Sequence, residues 1–403
     1  RALRHRNYRL YWFGQLVSQT GSWTQNVAQS WLVYRLTGSP TLLGLVGFAS
    51  QAPVFAFSLL GGVAADRWDR RRLILLAQAV AMGQAALLAA LTLLGKVNVG
   101  HVVVLAAVLG LAGAVDIPAR QSFFIELAGR EDLMNAVALN SSAFHAARMI
   151  GPALAALLIP VVGEGWCFLI NGFSFLGVIL ALVLMKPSGR RATAPTRRWI
   201  AELGEGLAFA WKTPLVRRIL ILVATTGFWG ISYTVLMPVF AGEVLHSGPG
   251  GLGFLMSASG LGSIAGALWV AARSSQEAAP ARAAPIAGYG VALGLALVGF
   301  SLSPALGSPA VLAALCGFFM ISQAAKANTA IQLLVPEELR GRVMSLYTSF
   351  FIGAVPFGSL ASGSLAQIFG APATVALAGV LTASVPALGL LSRKRLRSAF
   401  SAR

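Results

Sequence analysis

Twelve long apolar runs, each about the length of a membrane-crossing helix, leave this chain few ways to fold. A helix rising about 1.5 Å per residue needs about 20 apolar residues to cross roughly 30 Å of hydrocarbon. Such runs fall at 9–35, 41–64, 73–94, 101–122, 136–161 and 165–186, then at 215–243, 250–272, 284–303, 308–331, 341–367 and 371–392. Of 403 residues, 57% are hydrophobic and 11% are charged, whereas a soluble domain carries about 25% charge. The expected class is an all-α membrane protein.

The placement of charge gives an orientation. Of 31 lysines and arginines, only Arg35 and Lys96 fall near one set of loops, and Arg148 lies inside a run. The other 28, counting Arg120 and Lys326 at helix ends, collect on the opposite side. Basic loops stay in the cytoplasm, so that side is read as cytoplasmic. An even number of spans puts both termini there, and the tail Arg393-Lys-Arg-Leu-Arg agrees. The basic amino end leads into a span with no cleavage site, so no removable signal is expected. The net charge of +18 does not imply nucleic-acid binding, because the basic residues punctuate apolar runs and do not line one soluble face. Cys167 and Cys316 lie in apolar runs and are expected to act as small hydrophobes.

Between the second and third runs stands Gly61-Gly-Val-Ala-Ala-Asp-Arg-Trp-Asp-Arg-Arg-Arg72. Gly62 lacks a Cβ and is expected to admit a neighbouring helix. Asp66, one turn on, can bond to backbone N–H groups or to an arginine, and Arg67, Arg70 and Arg71 can meet anionic headgroups. A plain positive anchor is the alternative.

The sequence repeats itself. Pro40-xxx-Gly44 is matched by Pro249-xxx-Gly253, Glu131-Asp-Leu by Glu337-Glu-Leu, and Arg120 by Lys326, all at offsets of 206 to 209. A shared offset argues for duplication. The expected organisation is a six-helix bundle over 1–186 and another over 215–392, followed by a basic tail at 393–403. Residues 187–214 are expected to form a cytoplasmic linker ending in an amphipathic helix, on which Trp199, Leu203, Leu207 and Trp211 recur at helical spacing. The second copy of the basic loop, near Gly266-Ala-Leu-Trp-Val-Ala-Ala-Arg273, keeps an arginine and has no aspartate.

Polar residues inside apolar runs mark candidate sites. Gln15, Gln19, Ser22, Asn26 and Gln29 step by four, three, four and three along the first run, so they share a helical face. That face either lines a solute cavity or bonds neighbouring helices; Gln25 falls slightly off it. Asp116 is the one carboxylate placed well inside a run, with Arg120 one turn on and His145 and Arg148 in the fifth run. Asp116 is the expected partner of Arg148. The cluster is either a structural ion pair or a site of proton or substrate coupling. Gly151-Pro152 should bend the fifth helix. In the second half Trp229, Tyr233, Gln323 and Lys326 are candidates for the cavity, where aromatic and amide groups suit a bulky amphipathic solute. No metal-spaced cluster, phosphate loop or hydrolytic triad is present in the sequence, so no cofactor, no metal and no catalytic site are expected, and uphill transport would draw on an ion gradient.

The motif Gly62-xxx-Asp66-Arg67-x-x-Arg70-Arg71 resembles the loop between helices two and three of the major facilitator superfamily, with Asp69 standing where that family usually has glycine. The pattern Asp116-x-Pro118-x-Arg120 … Arg148-x-x-Gly151-Pro152, with Pro336-Glu-Glu-Leu-Arg-Gly-Arg342, resembles its drug/proton antiporter branch, of the enterobactin-exporter type. Gly151-Pro152 is similar to the core of the antiporter signature, although Ala147, Ala155 and Ala156 replace flanking glycines. The resemblance implies twelve helices in two pseudo-symmetric bundles and a conformational lock at Asp66. It also implies proton-coupled export of hydrophobic or amphipathic molecules, drugs or siderophores, by alternating access in a bacterial inner membrane. The expected partners are a small-molecule substrate, membrane lipids and a coupling ion, and a monomer is expected. A lysophospholipid flippase and a non-transporting receptor or scaffold of the same fold remain alternative readings.

Overall fold

The computed structural model describes residues 1–129, 131–185, 199–273, 283–303 and 305–401, and among them there is no strand. The helices are α1 (Arg6–Thr37), α2 (Pro40–Arg67), α3 (Arg70–Leu93), α4 (Val99–Ala128), α5 (Leu133–Val162), α6 (Glu164–Leu184) and α7 (Trp199–Lys212). They continue with α8 (Pro214–Val244), α9 (Gly248–Arg273), α10 (Ala283–Ser301), α11 (Gly307–Leu334), α12 (Glu337–Phe369) and α13 (Ala371–Ser401). Ten of them are long and apolar enough to cross a membrane. The two remaining expected spans are α1, 32 residues long but rich in amides and hydroxyls, and α10, whose apolar stretch Pro285–Ser301 is shorter.

Turn chemistry explains most boundaries. Gly38 ends α1 in the left-handed region at φ 58°, Ser39 caps α2 and Pro40 opens it. At the basic loop Asp69 is the cap of α3, its carboxylate accepting from the Arg72 N–H at 2.9 Å. That role accounts for an aspartate in a position where the family usually has glycine, since a capping carboxylate satisfies an orphan N–H. Gly163 and Gly370, 207 positions apart, both make their turns at positive φ, 82° and 83°. The final helix runs on to Ser401, past the expected end at 392. Of the expected linker, 187–198 lies outside the described residues, and the amphipathic segment forms α7.

The chain divides into two compact units, Arg1–Thr196 with Ala241–Ser257, and Arg197–Phe240 with Ala258–Arg403. In the first, α1 and α5 run parallel with a constant register. Tyr8 Oη donates to the Ala136 carbonyl at 2.9 Å, Trp12 Nε1 to Leu139 at 3.0 Å and Thr24 Oγ1 to Gly151 at 3.0 Å, at separations of 128, 127 and 127 residues. Arg35 near the end of α1 ties it to α6, its Nε donating to Glu164 at 2.8 Å. Lipid provides no hydrophobic drive between helices, so such bonds and close small-residue contacts hold them. The duplication is visible in those contacts. A methyl built on Gly110 would stand 2.5 Å from the Ser50 carbonyl oxygen, and one on Gly317 would stand 2.9 Å from the Ser259 carbonyl carbon.

Among the described residues, two spans, α8 and α12, are not continuous α-helix. Span α8 widens to π geometry over Thr226–Gly230 and again over Phe240–Val244. Span α12 breaks after Phe351 and restarts at Val355, with Pro356 in its first turn. The breaks meet: a methyl on Gly227 would lie 3.1 Å from the Phe351 carbonyl carbon and 3.3 Å from Ala354 Cβ.

Candidate functional site

The first unit contains a buried charge cluster built on α4. Asp116 and Arg120 are one turn apart and form an ion pair, with side chains 9% and 20% exposed. Pro118 between them withdraws the N–H that the Ala114 carbonyl would accept, and Gly61 of α2 packs directly on that carbonyl. Neighbouring helices supply amides. Arg120 Nη1 donates to Gln15 Oε1 at 2.7 Å, Gln78 Nε2 donates to Asp116 Oδ1 at 3.3 Å, and Gln15 Nε2 donates to Tyr11 Oη at 3.0 Å. Gln19 Nε2 reaches Gln15 Oε1 at 3.4 Å. The cluster keeps unspent capacity on three helices: Arg120 Nε, Gln19 Oε1 and Gln78 Oε1 are buried and lack a hydrogen-bond partner among the described residues. An amide shell around an ion pair solvates both charges where water is scarce.

Several expectations are corrected here. The guanidinium held by Asp116 is that of Arg120 on its own helix, while Arg148 lies over the Trp23 ring, 5.6 Å from its centroid. A neighbour four residues away on one helix is always within reach, whereas a partner on α5 depends on helix rotation. The close helix approach at the basic loop falls on Gly61, and a methyl built on Gly62 would meet nothing within 4 Å. Along the α1 stripe Gln15 and Gln29 are buried, Gln19 and Ser22 half-buried and Asn26 exposed. Off the stripe, Gln25 forms a second buried network. Its Nε2 donates to Gln84 Oε1 at 3.1 Å and its Oε1 accepts from Asn171 Nδ2 at 2.8 Å. His145 is half-buried, its Nδ1 without a hydrogen-bond partner among the described residues. Gly151 packs on α1, where an added methyl would stand 2.8 Å from the Thr20 carbonyl oxygen, and Pro152, the expected bend point, lies inside α5.

At the basic loop Arg70 is held most firmly. Its Nη1 meets Glu126 at 2.5 Å, its Nε donates to the Ala65 carbonyl at 3.1 Å and Asp66 lies 3.8 Å away. Arg67 is exposed, and Arg71 donates to the Val183 carbonyl at 3.3 Å. Glu126 escaped the sequence reading because the fourth run was ended at 122, while α4 extends to Ala128. A carboxylate facing an arginine run from the next helix end was the available signal.

In the second unit Gln323 stands 207 positions from Asp116. It is buried, accepts from Thr226 Oγ1 at 2.7 Å and leaves Nε2 without a partner among the described residues. The position that is charged in the first half is thus neutral in the second. Trp229 sits half-buried on the π turn, and Lys326 is half-buried. Tyr233 is buried, its hydroxyl 3.2 Å from Ser259 and its ring 5.8 Å from that of Phe300. π turns and breaks free backbone groups and are frequent at functional positions, and transporters build solute sites from such discontinuous helices.

Residues 1–401 match the model of a major facilitator family described as transmembrane secretion effector. The multidrug efflux pump Tap of Mycolicibacterium fortuitum is 29% identical over 93% of this chain and 95% of its own. The staphyloferrin A transporter of Staphylococcus aureus is 24% identical over 94% of each chain. The enterobactin exporter EntS of Shigella boydii is 25% identical over 96% of this chain and 90% of its own. Among solved structures, a bacterial homologue of the lysosomal transporter Spinster superposes with a TM-score of 0.75 at 14% identity, covering 97% of each chain. A POT family transporter does so at 0.76 and 12%, over 97% of this chain and 96% of its own.

Proposed function

This chain belongs to the transmembrane secretion effector family of the major facilitator superfamily, and from that premise we propose that it exports hydrophobic or amphipathic small molecules in exchange for protons. It is a multi-pass membrane transporter and not an enzyme. In the proposed orientation the arginine-rich loops and both termini are cytoplasmic, the protein is a monomer, and transport proceeds by alternating access. Relatives named for multidrug efflux and siderophore export support the substrate class.

The observation that carries the coupling proposal is the buried Asp116–Arg120 pair in its amide shell. A carboxylate beside a guanidinium holds its charge, and it takes up a proton when that guanidinium turns away to another acceptor. Gln15 already shares Arg120, and the unspent atoms on Gln19, Gln78 and Arg120 can take a solute group or water. On this reading the interrupted spans of the second unit, with Phe228 and Trp229 on one and Phe351 at the other, supply the aromatic contacts for the solute. The basic loop, with Arg70 between Asp66 and Glu126, governs the cytoplasmic lock.

The test is flux in proteoliposomes with an imposed pH gradient. Efflux of a siderophore or lipophilic drug should rise with the gradient, and Asp116→Asn and the double Asp116→Asn/Arg120→Gln variant should lose that response. Gradient-dependent flux in both variants would reject the coupling role. Movement of labelled lysophospholipid that ignores the gradient would favour a flippase, and no flux of any solute would reject transport.

A further inference from the structure

The repeat of the basic loop keeps its arginine in a different setting, and we propose that Arg273 and the rings beneath it bind the phosphate headgroup of an anionic phospholipid. Arg273 ends α9 and is exposed. Its guanidinium carbon lies over the Trp269 ring, 3.5 Å from the centroid. Trp269 is fixed in turn, donating from Nε1 to Tyr289 Oη at 3.1 Å and standing edge-on to Phe318 at 6.1 Å. Tyr289 lies against Phe319 at 6.5 Å. Rings from α9, α10 and α11 thus form one cluster that fixes the Trp269 ring beneath the cation.

Stacking uses the face of a guanidinium and leaves its five N–H groups in the plane, pointing outward. Among the described residues, none of those groups meets a carboxylate. Arg70 is the contrast: only 13% of its side chain is exposed, and Glu126, Asp66 and the Ala65 carbonyl occupy it. Among the described residues around Arg273 there is thus neither the aspartate of the first copy nor a counterpart of Glu126, and the guanidinium edge is left to an anion that those residues do not supply. A planar fork suits a phosphate bidentately.

The surroundings select a lipid over a free anion. Leu268 is 66% exposed and Trp269 39% exposed beside the cation, which places an apolar surface next to the proposed phosphate position. Tryptophan and tyrosine concentrate at headgroup depth. The cytoplasmic leaflet carries anionic phospholipids and a negative surface potential, and the arginine-rich face proposed as cytoplasmic is the one on which α9 ends. A helix-end arginine that merely opposes the helix dipole would show no headgroup preference.

The experiment places the full chain in phosphatidylcholine nanodiscs doped with brominated phosphatidylglycerol or brominated phosphatidylcholine, and reads tryptophan quenching. The chain has nine tryptophans, so Trp269→Phe isolates the signal from this one. The unaltered protein should show extra quenching by the anionic lipid, and Trp269→Phe should lose most of that excess. Arg273→Gln keeps the reporter and should lower the preference roughly fivefold. Equal quenching by the two lipids, or an excess that survives Arg273→Gln, would overturn the proposal. Should Arg273→Gln not fold, raising salt from about 50 mM to about 500 mM on the unaltered protein should abolish the excess, and persistence would overturn it equally. The readout needs no transport, so its failure is separable from failure of the exporter reading.

Discussion

Removing one charge from the Asp116–Arg120 pair should cost more than removing both. The carboxylate side chain is 9% exposed and the guanidinium 20%, so neither can be hydrated freely once its partner is gone. Truncating one member of a buried pair costs about 3–5 kcal/mol. The two single variants differ. Arginine cannot shed its proton, so Asp116→Asn leaves a fixed buried cation and falls in that range. Arg120→Gln leaves an aspartate that can take up a proton and accept from Gln78, so its cost should be nearer 2–3 kcal/mol. With both neutralised, two amides sit among Gln15 and Gln78, and the double variant should lie within about 1 kcal/mol of the starting protein. For a unit of roughly 200 residues, 1 kcal/mol shifts the midpoint by about 2–4 °C. Thermal unfolding in detergent should therefore show Asp116→Asn lower by about 6 °C or more and the double variant within about 4 °C of the parent. A double variant less stable than either single would refute the reasoning, because the charges would then act independently.

Leucine at Gly110 or at Gly317 should destabilise by about 1–3 kcal/mol or more, since each position touches backbone that cannot yield; tolerance at one and collapse at the other, read by thermal unfolding, would reject the duplicated contact. Glu126→Gln should release Arg70 and raise amide exchange across residues 66–72, at a cost of about 1–3 kcal/mol for the lost charged hydrogen bond. Unchanged exchange would show that Asp66 holds the arginine alone. Arg342→Gln breaks the pair with Glu205, whose side chain is 63% exposed, so the midpoint should move by less than about 1 kcal/mol's worth; a large fall would mean that this pair anchors α7 to α12.

What could be read in one dimension was read there. Run length against bilayer thickness and the distribution of arginines are properties of sequence position, because hydrocarbon penalises charge whatever the packing. The offset near 207 residues announced the duplication that Gly163 and Gly370, Gly110 and Gly317, then display as shared turns and contacts. Tertiary structure alone decided which side chain meets which. Successive residues on a helix point about 100° apart, so a small rotation moves a contact from Gly62 to Gly61, puts Gln25 in a buried network while Asn26 stays exposed, and leaves Arg148 over Trp23 with Asp116 held by Arg120. That rotation is set by backbone contacts and proline-freed carbonyls such as Ala114's, and by parallel seams such as α1 with α5, which no single run of residues encodes.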